Sequence, residues 1–186
     1  MTNKISVLSG LLLVTAVTVF GQDKFFTKNG RVHFVSKGKI ETIRASHKSV
    51  TCVLDTQTGN IQFAVLMKGF EFRKALMQEH FNENYVESDK YPRSEFKGQI
   101  TNNNAIDYTK NGEYIAQVKG KLTIHGVTRD VEVAGKIIVQ NGKLQARSDF
   151  AILLSDYNIS IPSMVKDNIS NNVTITVDCM LEPLKS

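Results

Sequence analysis

The sequence predicts an all-β fold, an antiparallel barrel of about eight strands with one short helix, and three observations predict it. Beyond residue 21 the apolar residues recur with a period of two, the signature of strands with one buried face. Asn-Gly pairs stand between such runs at Asn111-Gly112 and Asn141-Gly142, and Asn-Gly supplies the two positive φ angles of a tight hairpin turn. The runs also follow one another too closely for the crossover helices that a parallel sheet needs. A sheet of this many long strands must pack on another sheet or close on itself, and closure removes the exposed edges that invite aggregation.

In chain order, residues 1–21 have the form of a secretory leader: Lys4, an uncharged apolar stretch from Ile5 to Phe20, and small residues at Ala16 and Gly21 where cleavage fits. That stretch is about 16 residues, short of the roughly 20 that span a bilayer core. No Cys follows it to carry a lipid anchor. The expectation is an exported chain whose leader is removed and whose soluble domain covers residues 22–186.

Within that domain Phe63, Val65 and Met67 share one strand face, and Tyr114, Ala116, Val118, Gly120, Leu122 and Ile124 hold the alternation over a longer run. Gly38, Gly59 and His125-Gly126 mark further turns. Residues 73–85 break the pattern, with Leu76, Met77, His80 and Phe81 at helical spacing. Residues 155–172 are irregular: Ile159 and Ile161 alternate before Pro162, Val165 follows, and the segment reads as a loop crossing the barrel. The run Val173, Ile175, Val177 and Cys179 returns to period two and closes the sheet. No repeat or interdomain linker interrupts the domain.

The chain carries 23 basic and 18 acidic residues, a net +5. The basic residues are scattered among acidic ones, so no stripe exists to track a nucleic-acid backbone. His33, His47, His80 and His125 occur in four unrelated contexts. His80 and Glu83 lie one helical turn apart without a His-Glu-x-x-His pattern, and neither a nucleophile elbow nor a phosphate-binding glycine loop is present. The expectation is a binding protein, not an enzyme, with no metal and no cofactor. Cys52 alternates with Val50 and Leu54, and Cys179 with Ile175 and Val177, so both thiols are expected inside. Export permits a disulfide between them; otherwise they are buried, inert thiols.

Several separated motifs carry a resemblance. Phe70-Glu71-Phe72, the helical residues 72–85, Glu87-Ser88-Asp89-Lys90-Tyr91-Pro92, Phe96-Lys97-Gly98, residues 120–131 and residues 155–162 occur in the order of the YceI-like family. The chain resembles that family over nearly the whole domain. The resemblance implies an extended, lipocalin-like antiparallel barrel, usually periplasmic, that binds polyisoprenoids or other long-chain amphiphiles and catalyses nothing. Residues 31–36 and 41–46 depart from the His-rich opening of better-known members.

Closure would bring Phe34, Phe63, Val65, Met67, Phe72, Phe96, Tyr114, Leu122, Val133, Phe150 and Ile152 onto one inner surface against a long isoprenoid or fatty chain. Leu76, Met77 and Phe81 of the helix are expected to face inward and either gate the ligand or only plug that end of the barrel, with Arg73 a candidate for the head group. A homodimer is permitted. The competing reading is a secreted interaction barrel with a filled core, because a barrel of about eight strands is either filled by its own side chains or holds one ligand. An apolar cavity favours the carrier; a solid interior favours the scaffold.

Overall fold

The computed structural model describes residues 23–184, so the expected leader lies outside the described residues. The described residues form β1 (Lys24–Lys37), β2 (Thr42–Asp55), β3 (Asn60–Leu66), β4 (Glu71–Phe72), helix α1 (Ala75–His80), β5 (Arg93–Ile100), β6 (Gly112–Ile124), β7 (Val127–Gln140), β8 (Lys143–Leu153) and β9 (Asn172–Pro183). Eight of the strands form a closed antiparallel ring in the order β1-β2-β3-β5-β6-β7-β8-β9. It closes because β1 pairs with both β2 and β9. The two-residue β4 lies outside the ring and pairs with Ala45 and Ser46 of β2.

The turns separate into two ends. The β2–β3 turn, residues 101–111 and the β7–β8 turn form one end, here the base. The β1–β2 turn, residues 67–92, the β6–β7 turn and residues 154–171 form the other, the mouth, and every helical piece except the 3-10 turn Asn103–Ala105 lies there. Helix α1 widens into a π-type turn over Phe81–Tyr85, and residues 155–172 contain the expected irregular crossing with a 3-10 turn at Ser163–Val165.

Asn141-Gly142 is the β7–β8 hairpin turn, with φ of 51° and 75°. Asn111-Gly112 is not a hairpin turn, contrary to expectation. β5 ends at Ile100 and β6 begins at Gly112, with eleven residues between, and the intervening chain folds across the base. The physical reason is a set of side-chain bonds that a two-residue turn cannot supply. Asn102 donates to the Ile115 carbonyl at 2.9 Å and accepts from the Gln117 amide at 2.8 Å, and Asn111 accepts from the Asn141 amide at 3.0 Å. The second tight hairpin is instead His125-Gly126, with φ of 51° and 73°.

The base half of the barrel is solid. Phe25, Leu54, Ile61, Ile100, Ile106, Leu144 and Leu181 fill it, with Tyr108 and Tyr114 packed against them. Cys52 and Cys179 are fully buried in this core as free thiols. They belong to β2 and β9, with β1 between, yet they meet. β1 bulges between Phe26 and Arg31, and Gly30 offers no side chain there. A Cβ on Gly30 would collide with the Cys179 sulfur and stand 2.9 Å from the Val50 carbonyl oxygen. Burial, followed by the hydrogen bond with the Cys179 thiol, pushes the Cys52 thiol well above its ordinary pKa.

Two expected outcomes follow from this packing. Gly30→Ala should cost about 1–3 kcal/mol of stability by overpacking, and the cost should shrink in a Cys179→Ala background, because the colliding sulfur is then gone. Urea unfolding of the four proteins in that double-mutant cycle measures the coupling; strictly additive effects would refute the packing account. Tyr108, whose hydroxyl donates to Asn103 Oδ1 at 2.7 Å, is pushed by burial to a pKa of about 12 from 10.0. Below pH 10 the phenol is protonated in both states. Between those two values the unfolded chain ionises first, so stability falls as pH rises, and above about 12 the slope ends. Tyr108→Phe should flatten that part of the alkaline stability profile.

Candidate ligand-binding cavity

The mouth half of the barrel is hollow. A cavity of about 390 Å³ runs from the mouth toward the base core, inside the usual size range of small-ligand sites. The same alternation that fills the base lines this space: Phe63 and Val65 of β3, Phe96 of β5, Leu122 and Ile124 of β6, Val131 and Val133 of β7, Phe150 and Ile152 of β8, and Ile175 and Val177 of β9 all present side chains to it. Phe96 is aimed by two glycines. Gly98 and Gly120 face each other across β5 and β6, and a Cβ on either would strike the Phe96 ring; the ring therefore lies flat along the inner wall.

Under the mouth the aromatic side chains form a cluster. Phe34 of β1 has ring centroids 5.3, 5.9 and 5.6 Å from Phe70, Phe72 and Phe81, and Phe72 lies 5.0 Å from Phe81. These are edge and offset contacts of the favoured kind. Met67, Met77, Tyr85 and Val86 continue the wall, and burial raises the Tyr85 phenol above its usual pKa, so it stays a neutral hydroxyl in the cavity wall.

The irregular chain at the mouth is held by two histidines. His47 is buried beneath Gly69; its Nε2 donates to the Leu66 carbonyl at 3.0 Å while its Nδ1 accepts from the Ser49 amide at 3.0 Å, which fixes the tautomer. The 3-10 turn Met67–Gly69 is thereby pinned to β2, and Ser94 Oγ donates to the Met67 sulfur at 3.0 Å from β5. His125 ties three segments together: Nε2 meets Glu87 Oε2 at 2.7 Å, Nδ1 meets the Tyr157 carbonyl at 3.1 Å, and Tyr91 packs edge-on at 4.6 Å. The expectation that His125 is a turn residue holds, and its ring fastens that turn to its neighbours.

Of the residues expected to meet a ligand, Phe34, Phe63, Val65, Met67, Phe72, Met77, Phe81, Phe96, Leu122, Val133, Phe150 and Ile152 line the cavity. Arg73, Leu76 and Tyr114 do not. Successive helical residues are turned by about 100°, so with Met77 and Phe81 inward Leu76 points to solvent. Arg73 precedes the helix on the exposed outside, and Tyr114 sits in the base, its hydroxyl donating to the Lys110 carbonyl at 3.0 Å. Residues missed by the sequence reading include Val32, Ile43, Phe70, Ile159, Val165 and Ile169. Val32 alternates with Phe34 on β1 and Ile43 with Ala45 on β2, so both were readable. Phe70, Ile159, Val165 and Ile169 owe their position to the folding of the turns. Polar groups reach the cavity at the mouth through Ser36, Glu41, His80 and Asn168.

One side of the wall is not sewn shut. β7 pairs with β6 along Val127 to Val139 and with β8 only from Gly135 to Gln140, although β8 continues to Leu153. The strands part at the Gly135–Ser148 pair, where Ser148 Oγ donates to the Ala134 carbonyl at 2.8 Å. They are joined again only at the mouth, where Arg129 Nε donates to the Asp156 carbonyl at 2.8 Å. Val131, Val133, Phe150 and Ile152 flank this seam from inside.

Comparison with known proteins places this geometry. The model of the YceI-like domain matches residues 24–181. Among solved structures, a polyisoprenoid binding domain from Saccharophagus degradans, implicated in plant cell wall breakdown, aligns with a TM-score of 0.76 and 13% identity over 87% of this chain and 99% of its own. Burkholderia cenocepacia BcnA aligns at 0.66 with 18% identity over 82% and 95%, and the Campylobacter jejuni YCEI protein at 0.51 with 14% identity over 99% and 94%. At these identities the likeness is one of fold. No curated protein matches the sequence.

The seam generates a measurable expectation. Along residues 127–134, backbone amides that face β8 should exchange with solvent at least about tenfold faster than the alternate amides bonded to β6. Hydrogen exchange resolved to single residues checks this; uniform protection along β7 would mean that the seam is closed in solution.

Proposed function

The chain belongs to the YceI-like family, and on that premise we propose that it is an exported carrier or store that holds a polyisoprenoid or other long-chain amphiphile in the mouth half of its barrel. The observation that carries this reading is the chemistry of the cavity wall. From Ile61, Ile100 and Ile137 at its floor to Phe72 and Phe81 under the mouth, the wall is built mainly of aliphatic and aromatic side chains, and polar groups reach it at the mouth and where β7 and β8 part, at Lys136, Arg147 and Ser148. Such a site suits a long apolar chain with a polar end. Glu41, His80, Asn168 and the neutral Tyr85 hydroxyl are the groups within reach of that end.

Energetics favour exchange. Burying a methylene from water is worth about 0.8 kcal/mol, but a chain drawn from a bilayer leaves one hydrocarbon medium for another, so the apolar contribution nearly cancels and selectivity falls to the head group. The leader-like residues 1–21 support export and, with it, a periplasmic place of work. The polyisoprenoid named for the Saccharophagus degradans domain supports the ligand class. The ligand is carried unchanged, for storage, transport or protection under stress. The competing scaffold reading calls for a filled core, which describes the base alone.

Val65 and Ala116 both line the cavity, so Val65→Trp combined with Ala116→Phe should occupy it. The purified wild-type protein should release a lipid on organic extraction, and the double variant at least about tenfold less, at a similar melting temperature. Absence of lipid from the wild type, together with added polyprenols that neither bind nor raise its melting temperature, would overturn the carrier reading.

A further inference from the structure

Three of the most exposed large apolar side chains stand around the cavity mouth, each on a different element: Ile40 in the β1–β2 turn, 75% exposed, Leu76 of α1, 60%, and Met164 in the 3-10 turn Ser163–Val165, 94%. These elements form one continuous rim. The Ile40 amide donates to the Asp167 carbonyl at 3.0 Å, Lys39 pairs with Asp167 at 3.1 Å, Lys74 pairs with Glu41 at 3.0 Å, and Gly38 packs against the Asn168 backbone. From the geometry we infer that this rim is a docking surface for a lipid bilayer bearing anionic phospholipids, with Ile40, Leu76 and Met164 as its anchors. The inference rests on the carrier reading and adds where the carrier meets its source.

Charge and shape favour a membrane as the occupant. Residues 37–44, 73–80 and 163–169 carry the bases Lys37, Lys39, Arg44, Arg73, Lys74 and Lys166, six in all, against the three acids Glu41, Glu79 and Asp167. Basic side chains around an anionic surface add attraction that apolar insertion alone does not provide. The three apolar tips stand on separate elements, each with a lysine one or two residues away in the chain: Lys39 beside Ile40, Lys74 near Leu76 and Lys166 near Met164. That is the pattern of anchors reaching into an interfacial layer, whereas a protein partner usually covers a contiguous apolar patch. The barrel wall itself is no alternative route into a membrane. Its outer face carries ion pairs such as Lys119–Glu132 and Lys121–Asp130 where a membrane-spanning barrel needs an apolar band, and no helix among the described residues is long and apolar enough to cross one. A mouth seated on the bilayer would let an apolar chain slide from membrane to cavity without exposing its methylenes to water.

The chain contains no Trp, so Met164→Trp makes a single reporter at the rim. With vesicles of phosphatidylcholine containing about 30 mol % phosphatidylglycerol, its emission should shift to the blue, and the shift should weaken at high salt as exposed charges are screened. In a flotation assay with the same vesicles, the triple variant Ile40→Ser, Leu76→Ser, Met164→Ser should bind roughly 100-fold more weakly than the wild type. Its melting temperature and its extractable lipid, or its binding of added polyprenol, should be unchanged. A wild-type protein that ignores these vesicles, or a triple variant that floats as well as the wild type, overturns the docking surface. So does a wild type that is dimeric without vesicles while the triple variant is monomeric, since the rim is then an interface between two copies. The carrier reading fails separately: vesicle binding persists while neither extraction nor added polyprenol gives a bound lipid.

Discussion

β1 hydrogen-bonds on both sides, to β2 along one edge and to β9 along the other, and that double pairing turns an eight-strand sheet into a tube. Once the tube is closed, each strand must send alternate side chains into a shared volume that none of them fills alone. At this joint β1 bulges around Gly30. Without a side chain there, the thiols of the two flanking strands come together over β1. The closure and the packing at its joint are therefore one feature.

The interior is then divided unequally. At the base, residues 101–111 fold inward and contribute Ile106 and Tyr108, so that this half packs to a solid core. At the mouth the strands diverge. β2 pairs with β3 only from Thr51 to Leu54, and β7 leaves β8 beyond Gly135. The helical residues between β3 and β5 cover that wider end, and their aromatic side chains meet Phe34 across it. A hollow half results because the covering segments reach across the mouth and stop above the floor set by Ile61, Ile100 and Ile137.

The polar groups follow the same division. Where backbone leaves the ladder at the mouth, a side chain satisfies it: His47 for Leu66 and Ser49, His125 for Tyr157, and Ser36 for Ser170, whose amide donates to the Ser36 hydroxyl at 2.9 Å. A buried carbonyl or amide without a partner would cost about 1–3 kcal/mol. The two histidines at the mouth are thereby accounted for by backbone left unpaired, and the cavity surface beside them stays apolar.

The sequence by itself determined the period-two strands, the hairpin at Asn141-Gly142, the position of the helix and the inward set of aliphatic and aromatic residues, because these are written in local alternation and in the φ angles particular residues accept. It also carried the family resemblance through motifs spread along the chain. It misplaced Asn111-Gly112, because a loop that folds over a barrel end is stabilised by partners distant in sequence, here Asn102 with Ile115 and Asn111 with Asn141. It misdirected Leu76 and Tyr114, since apolar type does not say which way a short helix is rotated or which half of a strand meets a plug. Only the tertiary structure decided that one half of the barrel is filled and the other empty, that β7 and β8 part, and that Cys52 reaches Cys179 across β1. Each of these depends on how far apart the strands stand, a distance set by the closure of the whole ring.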